Sequence, residues 1–165
     1  MTEKSQFWED LKSGRFLSMV KEESKGQYIA NSREVYNVMK PLFAEHDDVE
    51  CVYSIFLNAK NRILSIEKMF TGTISASIIY PRELVKRVIA LRATAIVLTH
   101  NHPSGCTQPS LEDKKITLKI AFALIGIDVA LHDHIIIGDG HHSMADNGYM
   151  KNIHRRYEGI LHLPE

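Results

Sequence analysis

Cysteine is scarce in this sequence: Cys51 and Cys106 are the only two in 165 residues, and neither belongs to a CxxC pair. Two thiols so far apart make no disulfide framework, which fits a reducing compartment. Net charge is missing too, because twenty basic side chains cancel twenty acidic ones. A protein whose main work is gripping a phosphate backbone carries a basic excess, so direct nucleic-acid binding is disfavoured. The local clusters Lys114-Lys115-Lys119 and Lys151 to Arg156 are read as solvated helix or tail surface. No apolar run approaches the roughly eighteen residues of a spanning helix. The polar start MTEKSQFWEDLKSG has no signal-peptide core, and there is no repeat or low-complexity segment. These absences leave a cytoplasmic protein without a membrane segment. Its 44% hydrophobic content is enough for one globular domain with a real core.

What is present alternates between strand and helix patterns. Residues 1–28 are polar and weakly periodic, an arm or short helix outside the main domain, with Ser24-Lys25-Gly26-Gln27 as a linker. Ser32 reads as the N-cap of a helix carrying Val35, Val38, Met39 and Leu42 on one face, ended by the charged turn Glu45 to Asp48. Val49 to Leu57 and Arg62 to Phe70 flank Asn58-Ala59-Lys60-Asn61, which predicts a hairpin closed off by Thr71-Gly72-Thr73. Pro81 opens a helix with Leu84, Val85, Val88, Ile89 and Leu91 inward. Ala95 to Thr99 suits a buried central strand. Ser110 to Ile125 is a helix with Ile116, Ile120, Ala123 and Leu124 inward and Gly126 as its stop. Val129 to Ile137, the break Gly138-Asp139-Gly140 and His141 to Met144 read as a last pair of strands. The pattern is that of an α/β three-layer domain with a mixed sheet over residues 29–150, followed by a tail over residues 151–165.

The chemistry concentrates in HNHPSGCTQPSLED, residues 100–113. His100 and His102 are two apart at the end of the buried strand, so both imidazoles point to one side and Asn101 to the other. Two neutral imidazoles converging on a point suit zinc, and Asp113, in the first turn of the next helix, offers a third ligand. Three protein ligands with a fourth position left for water is the catalytic form of such a site. Spacing alone leaves a second reading open: histidine pairs occur on ordinary strands, and Ser110-Leu111-Glu112-Asp113 is also a capping box that would claim the same carboxylate. His132 and His134 form another His-x-His with no acidic partner at useful spacing, so a second metal site is not expected. His141-His142 reads as turn surface. Nothing marks the Cys106 thiol as an activated nucleophile.

The run HNHPSGCTQPSLEDKKIT closely resembles the RadC-like branch of the JAB/MPN (JAMM) domains. The similarity extends over roughly residues 30 to 150. It takes in Phe56 to Asn61, Phe70-Thr71-Gly72-Thr73, Tyr80-Pro81-Arg82-Glu83, Ala93 to Gly105 and Asp133-His134 to Gly138. Cys106 stands where that family has an acidic residue and Thr107 where it has a common proline; ligand spacing is unchanged. The helix-hairpin-helix region of longer RadC proteins is not found here.

The resemblance implies a three-layer α-β-α JAB/MPN fold of the cytidine-deaminase-like kind, with Zn2+ held by His100, His102 and Asp113. It also implies a catalytic glutamate at the head of the strand leading into the hairpin, a place that Glu50 fits, with Glu67 in the next strand as rival. Ser110 would donate a hydrogen bond to the developing oxyanion. The activity implied is that of a JAMM-type zinc metallopeptidase cutting a peptide or isopeptide bond with metal-activated water. The alternative is a RadC-like DNA-repair-associated protein whose zinc domain binds without hydrolysis. Nucleobase deamination is excluded, because its HxE and PCxxC signatures are absent.

Overall fold

The computed structural model describes residues 2–44, 48–72 and 79–162. Cys51–Leu57 (β1) and Ile63–Thr71 (β2) form the expected hairpin, Ala95–Asn101 (β3) the central strand, and Ala130–Gly138 (β4) with Gly140–Ser143 (β5) the last pair. The helices are Glu3–Lys12 (α1), Arg15–Ser24 (α2), Ser32–Phe43 (α3), Pro81–Leu91 (α4), Leu111–Ile125 (α5) and Tyr149–Leu161 (α6). Of the expected charged turn only Asp48 is among the described residues, and Thr73 lies outside them.

The five strands lie in the order β2-β1-β3-β4-β5. β1 runs antiparallel to both β2 and β3, while β4 runs parallel to β3 and antiparallel to β5, so the sheet is mixed. α5 is the crossover that a parallel neighbour requires. Alternate residues of a strand face opposite sides, and the sheet sorts its apolar side chains accordingly. Val52, Phe56, Ile96, Leu98 and Ile136 pack against α4, α5 and α6. Tyr53, Ile55, Leu57, Val97, Ile135 and Ile137 pack against α3 and, through Leu17 and Val20, α2. β1 and β3 are buried at every position because helices cover both faces. The result is the three-layer α-β-α domain that the pattern implied.

Several details depart from the sequence reading. Asn31, not Ser32, caps α3: its side chain accepts the Glu34 N–H at 3.0 Å. The Ser32 hydroxyl is committed elsewhere, to the Asp146 carboxylate at 2.6 Å. Ile89, expected inward, is 66% exposed, while Leu84 and Val88 are buried and Val85 and Leu91 pack partly buried against the same core. In α5 the buried stripe runs through Thr117 and Ala121, whereas Ala123 is only half-buried. The stretch read as a tail carries α6, anchored by buried Met150 and Ile153. The residues read as a linker are tied to the hairpin, since the Gly26 N–H donates to the Ile63 carbonyl at 2.8 Å. No helix among the described residues is long and apolar enough to cross a membrane.

Candidate metal centre

β3 delivers His100 fully buried on the face toward α5, and His102 follows just past the strand end. As period-two alternation requires, the two rings share a side, with Nε2 atoms 2.8 Å apart. Asp113 stands in the first turn of α5 and is buried to 1%. Its Oδ1 is 3.2 Å from His100 Nε2 and its Oδ2 is 3.4 Å from His102 Nε2. One candidate ligand atom from each residue lies within 4.8 Å of the others.

The geometry leaves room for both sequence readings of Asp113. The capping box is complete: the Ser110 N–H donates to Asp113 Oδ2 at 2.7 Å, and the Asp113 N–H donates to Ser110 Oγ at 3.0 Å. A carboxylate has about four lone-pair sites, so the cap orients the group without exhausting it. Burial pushes the Asp113 carboxyl up, yet the two histidines outweigh that and hold it far below the usual carboxylate range. Reciprocally, the hydrogen bond to Asp113 raises His102 against its partial burial, and Glu50 adds a smaller pull.

The outer edges of both rings are engaged. His102 Nδ1 lies 2.7 Å from the Cys106 carbonyl, which can only accept, so Nδ1 carries a hydrogen. Cys106 therefore serves through its backbone, and its thiol is free and exposed. His100 Nδ1 lies 2.8 Å from His134 Nε2, and His134 Nδ1 lies 2.6 Å from Thr117 Oγ1. His134 is fully buried, and burial together with the nearby His100 ring pushes its pKa well below the ordinary value. These partners turn the two Nε2 atoms toward one point. When both rings are neutral with their hydrogens on Nδ1, the two Nε2 lone pairs meet 2.8 Å apart beside a carboxylate, and a divalent cation fits that donor set.

Register places Glu50. Val52 faces His100 across the antiparallel β1–β3 pair, and continuing that register by two residues carries Glu50 toward His102, where its charge is felt. Asn101, turned to the other face, braces this end: it donates to the Val49 carbonyl at 2.9 Å and accepts the Cys51 N–H at 2.7 Å, bracketing Glu50 on both sides. Glu67 is opposite Ser54 on the far strand, roughly 13 Å along β1 from Glu50 at ~3.3 Å per residue. There Arg87 grips it twice, at 2.7 and 2.6 Å, and this pairing holds its carboxyl below the ordinary range.

The loop after the histidines is pinned to β4. His102 N–H donates to the Ile137 carbonyl and Asp139 N–H to the Gly105 carbonyl, each at 2.8 Å. A methyl group added at Gly138 would collide with the Gly105 backbone, while Gly105 itself has φ +81° and a methyl there would meet the Asp139 carboxylate.

Residues 29–149, nearly three-quarters of the chain, match the RadC-like JAB domain. The chain belongs to the RadC-like JAB domain family. Among its relatives are proteins called UPF0758 from Stutzerimonas stutzeri (strain A1501), 47% identical over 106 residues, and from Pseudomonas savastanoi pv. phaseolicola (strain 1448A / Race 6), 41% identical over 123. A third, UPF0758 protein VV0285 of Vibrio vulnificus (strain YJ016), is 44% identical over 102. These alignments cover 64%, 74% and 61% of this chain, and 47%, 54% and 46% of the relatives. The chain thus spans about half the length of the curated relatives it matches.

Within this RadC-like domain the sequence singled out His100, His102 and Asp113, which the fold brings together. Thr117, His134 and Asn101 were missed. Thr117 carried a faint signal, one helical turn after Asp113 on the same face. His134 was hidden by its pairing with His132.

Proposed function

We propose that this RadC-like domain is a zinc-dependent hydrolase of the JAMM type that cleaves a peptide or isopeptide bond. The observation that carries the reading is the convergence of His100 Nε2, His102 Nε2 and the Asp113 carboxylate, with the opposite ring edges already hydrogen-bonded. Zinc bound there supplies a Lewis acid that brings the pKa of water toward neutrality and polarises a carbonyl.

The protein's own groups account for the remaining steps. Glu50 takes the proton of the attacking water and passes it to the leaving nitrogen as the carbon–nitrogen bond breaks. Asn101 keeps the backbone on either side of Glu50 in place. Ser110 accepts the Asp113 N–H through a lone pair, which leaves its hydroxyl hydrogen for the oxygen that gains charge. Glu67 is already neutralised by Arg87, which favours Glu50 as the base.

Zinc content and cleavage test this together. The purified protein is expected to hold about one zinc per chain and to cleave members of a panel of isopeptide-linked substrates. Glu50→Gln is expected to keep the zinc and lose turnover. A zinc-free protein overturns the metal, and an active Glu50→Gln overturns the base.

A second reading, a RadC-like module that binds nucleic acid without hydrolysis, has one observation in its favour. The fold merges the two basic clusters, so that Lys114, Lys115, Arg155 and Arg156 line a single groove of about 550 Å³ between α5 and α6. Binding of DNA with a steep salt dependence, together with no cleavage of any substrate, would favour it.

A further inference from the structure

His134 and Thr117 lie behind the metal centre and touch no reacting atom, yet their hydrogen bonds have only one consistent direction. Thr117 Oγ1 is 2.5 Å from the Asp113 carbonyl oxygen and 2.6 Å from His134 Nδ1, with the weakly accepting Met144 sulfur at 3.6 Å. Two oxygens this close need a hydrogen between them, and a carbonyl has none. The hydroxyl therefore donates back to the carbonyl one turn earlier, a common arrangement for threonine in a helix. His134 must then donate from Nδ1 to the threonine oxygen. Its ring is buried, and its hydrogen-bond partners are the Thr117 hydroxyl and the His100 ring, neither of which balances a positive charge, so Nε2 carries only a lone pair. His100 Nδ1, 2.8 Å away, must supply the hydrogen of that contact. The proton of His100 is thereby fixed on Nδ1, and its Nε2 lone pair faces Asp113 and His102.

We propose that Thr117 and His134 are positioning residues that set the tautomer of His100, so that one buried hydroxyl on α5 determines which ring nitrogen meets the metal. This rests on the metal-binding half of the function proposed above and not on hydrolysis. Without the hydroxyl, His134 has no acceptor at Nδ1 and no reason to keep its proton there. With the proton on Nε2 instead, His134 donates to His100 Nδ1, and the proton of His100 moves to Nε2, aimed at the ligand position. A change of one atom is relayed through two rings to the donor atom of the site.

The test uses the whole chain with 15N-labelled histidine, metal-free and zinc-loaded, and zinc affinity measured against a competing chelator. In long-range 1H–15N spectra His134 is expected as the neutral Nδ1–H form in both states. Thr117→Val, nearly equal in volume, is expected to shift His134 toward Nε2–H and to weaken zinc by about 10- to 100-fold, as for other outer partners of metal ligands. Thr117→Ser, which restores the hydroxyl, is expected to recover both, a rescue that mere packing would not produce. A wild-type His134 protonated on Nε2 or on both nitrogens overturns the relay, as does Thr117→Val with unchanged zinc affinity. If the wild type takes up no zinc, the proposed function falls, while the spectra of the metal-free protein still decide the relay.

Discussion

The pattern His-x-His occurs twice on neighbouring parallel strands, and the two copies do different things. At the end of β3 the pleat is regular: His100 and His102 share a face and converge on Asp113, while Asn101 turns away to hold the backbone around Glu50. In β4 the same pattern is split by a bulge. Ile96 pairs with Leu131 and the next residue, Val97, with Asp133, so His132 is the extra, unpaired residue. His132 turns outward to Asn61, with Nε2 and Oδ1 3.0 Å apart, while His134 stays buried behind His100. Asp133 fastens this region by accepting from the Ser143 hydroxyl and from the Ala145 and His134 N–H groups. Spacing of histidines therefore reports a shared face only where the strand keeps its alternation.

That contrast can be broken by substitution. The largest effect belongs to the converging pair: His100→Ala or His102→Ala should weaken zinc by more than about 100-fold, beyond what outer partners contribute. His132→Ala should leave the affinity within about twofold, since a lone exposed imidazole adds nothing to a site on the other side of a bulge; an equal loss in His132→Ala would overthrow the comparison. Asp113→Asn separates the two roles of that residue. Its amide oxygen can still accept the Ser110 N–H, so α5 should keep its cap while zinc affinity falls by about the same 100-fold.

Next in size, Asn101→Ala should retain zinc and lower turnover by roughly 10- to 100-fold, because a general base displaced by about 1 Å loses that much. Full activity in that variant would remove Asn101 from the positioning of Glu50. Smallest of all, Glu67→Gln should change neither zinc content nor turnover and lower Tm by only ~1–3 °C, as expected for a partly exposed ion pair. The sign of its pH dependence follows from the depressed Glu67 carboxyl. The stabilisation is fully present above its ordinary value of 4.5 and is lost as pH falls through the lower folded value. Acid titration of Tm in wild type and Glu67→Gln checks this, since the two curves should meet at low pH.

Much of the scaffold was legible because its signals are local. The hairpin of β1 and β2, the proline-started α4 and the Ser110 cap of α5 each follow from residues within one or two turns. Asn31 displaced Ser32 as a cap because a carboxylate more than a hundred residues away claims the serine hydroxyl. Ile89 kept the helical period but lies on an exposed face of α4. The sequence of α6 reads as a tail because its polar residues outnumber the two, Met150 and Ile153, that anchor it.

The sequence alone marked out His100, His102 and Asp113 as a candidate ligand set, since alternation along a strand and the first turn of a helix are short-range geometry, while spacing left the capping role of Asp113 as a second reading. It also carried the family pattern that pointed to Glu50. Tertiary structure alone decided which carboxylate is carried toward His102, through the β1–β3 register, and which was neutralised by an arginine from another helix. It also decided that His134 would stand behind His100. That contact needs a parallel pairing formed across a helical crossover and a bulge of one residue, and no local pattern encodes either.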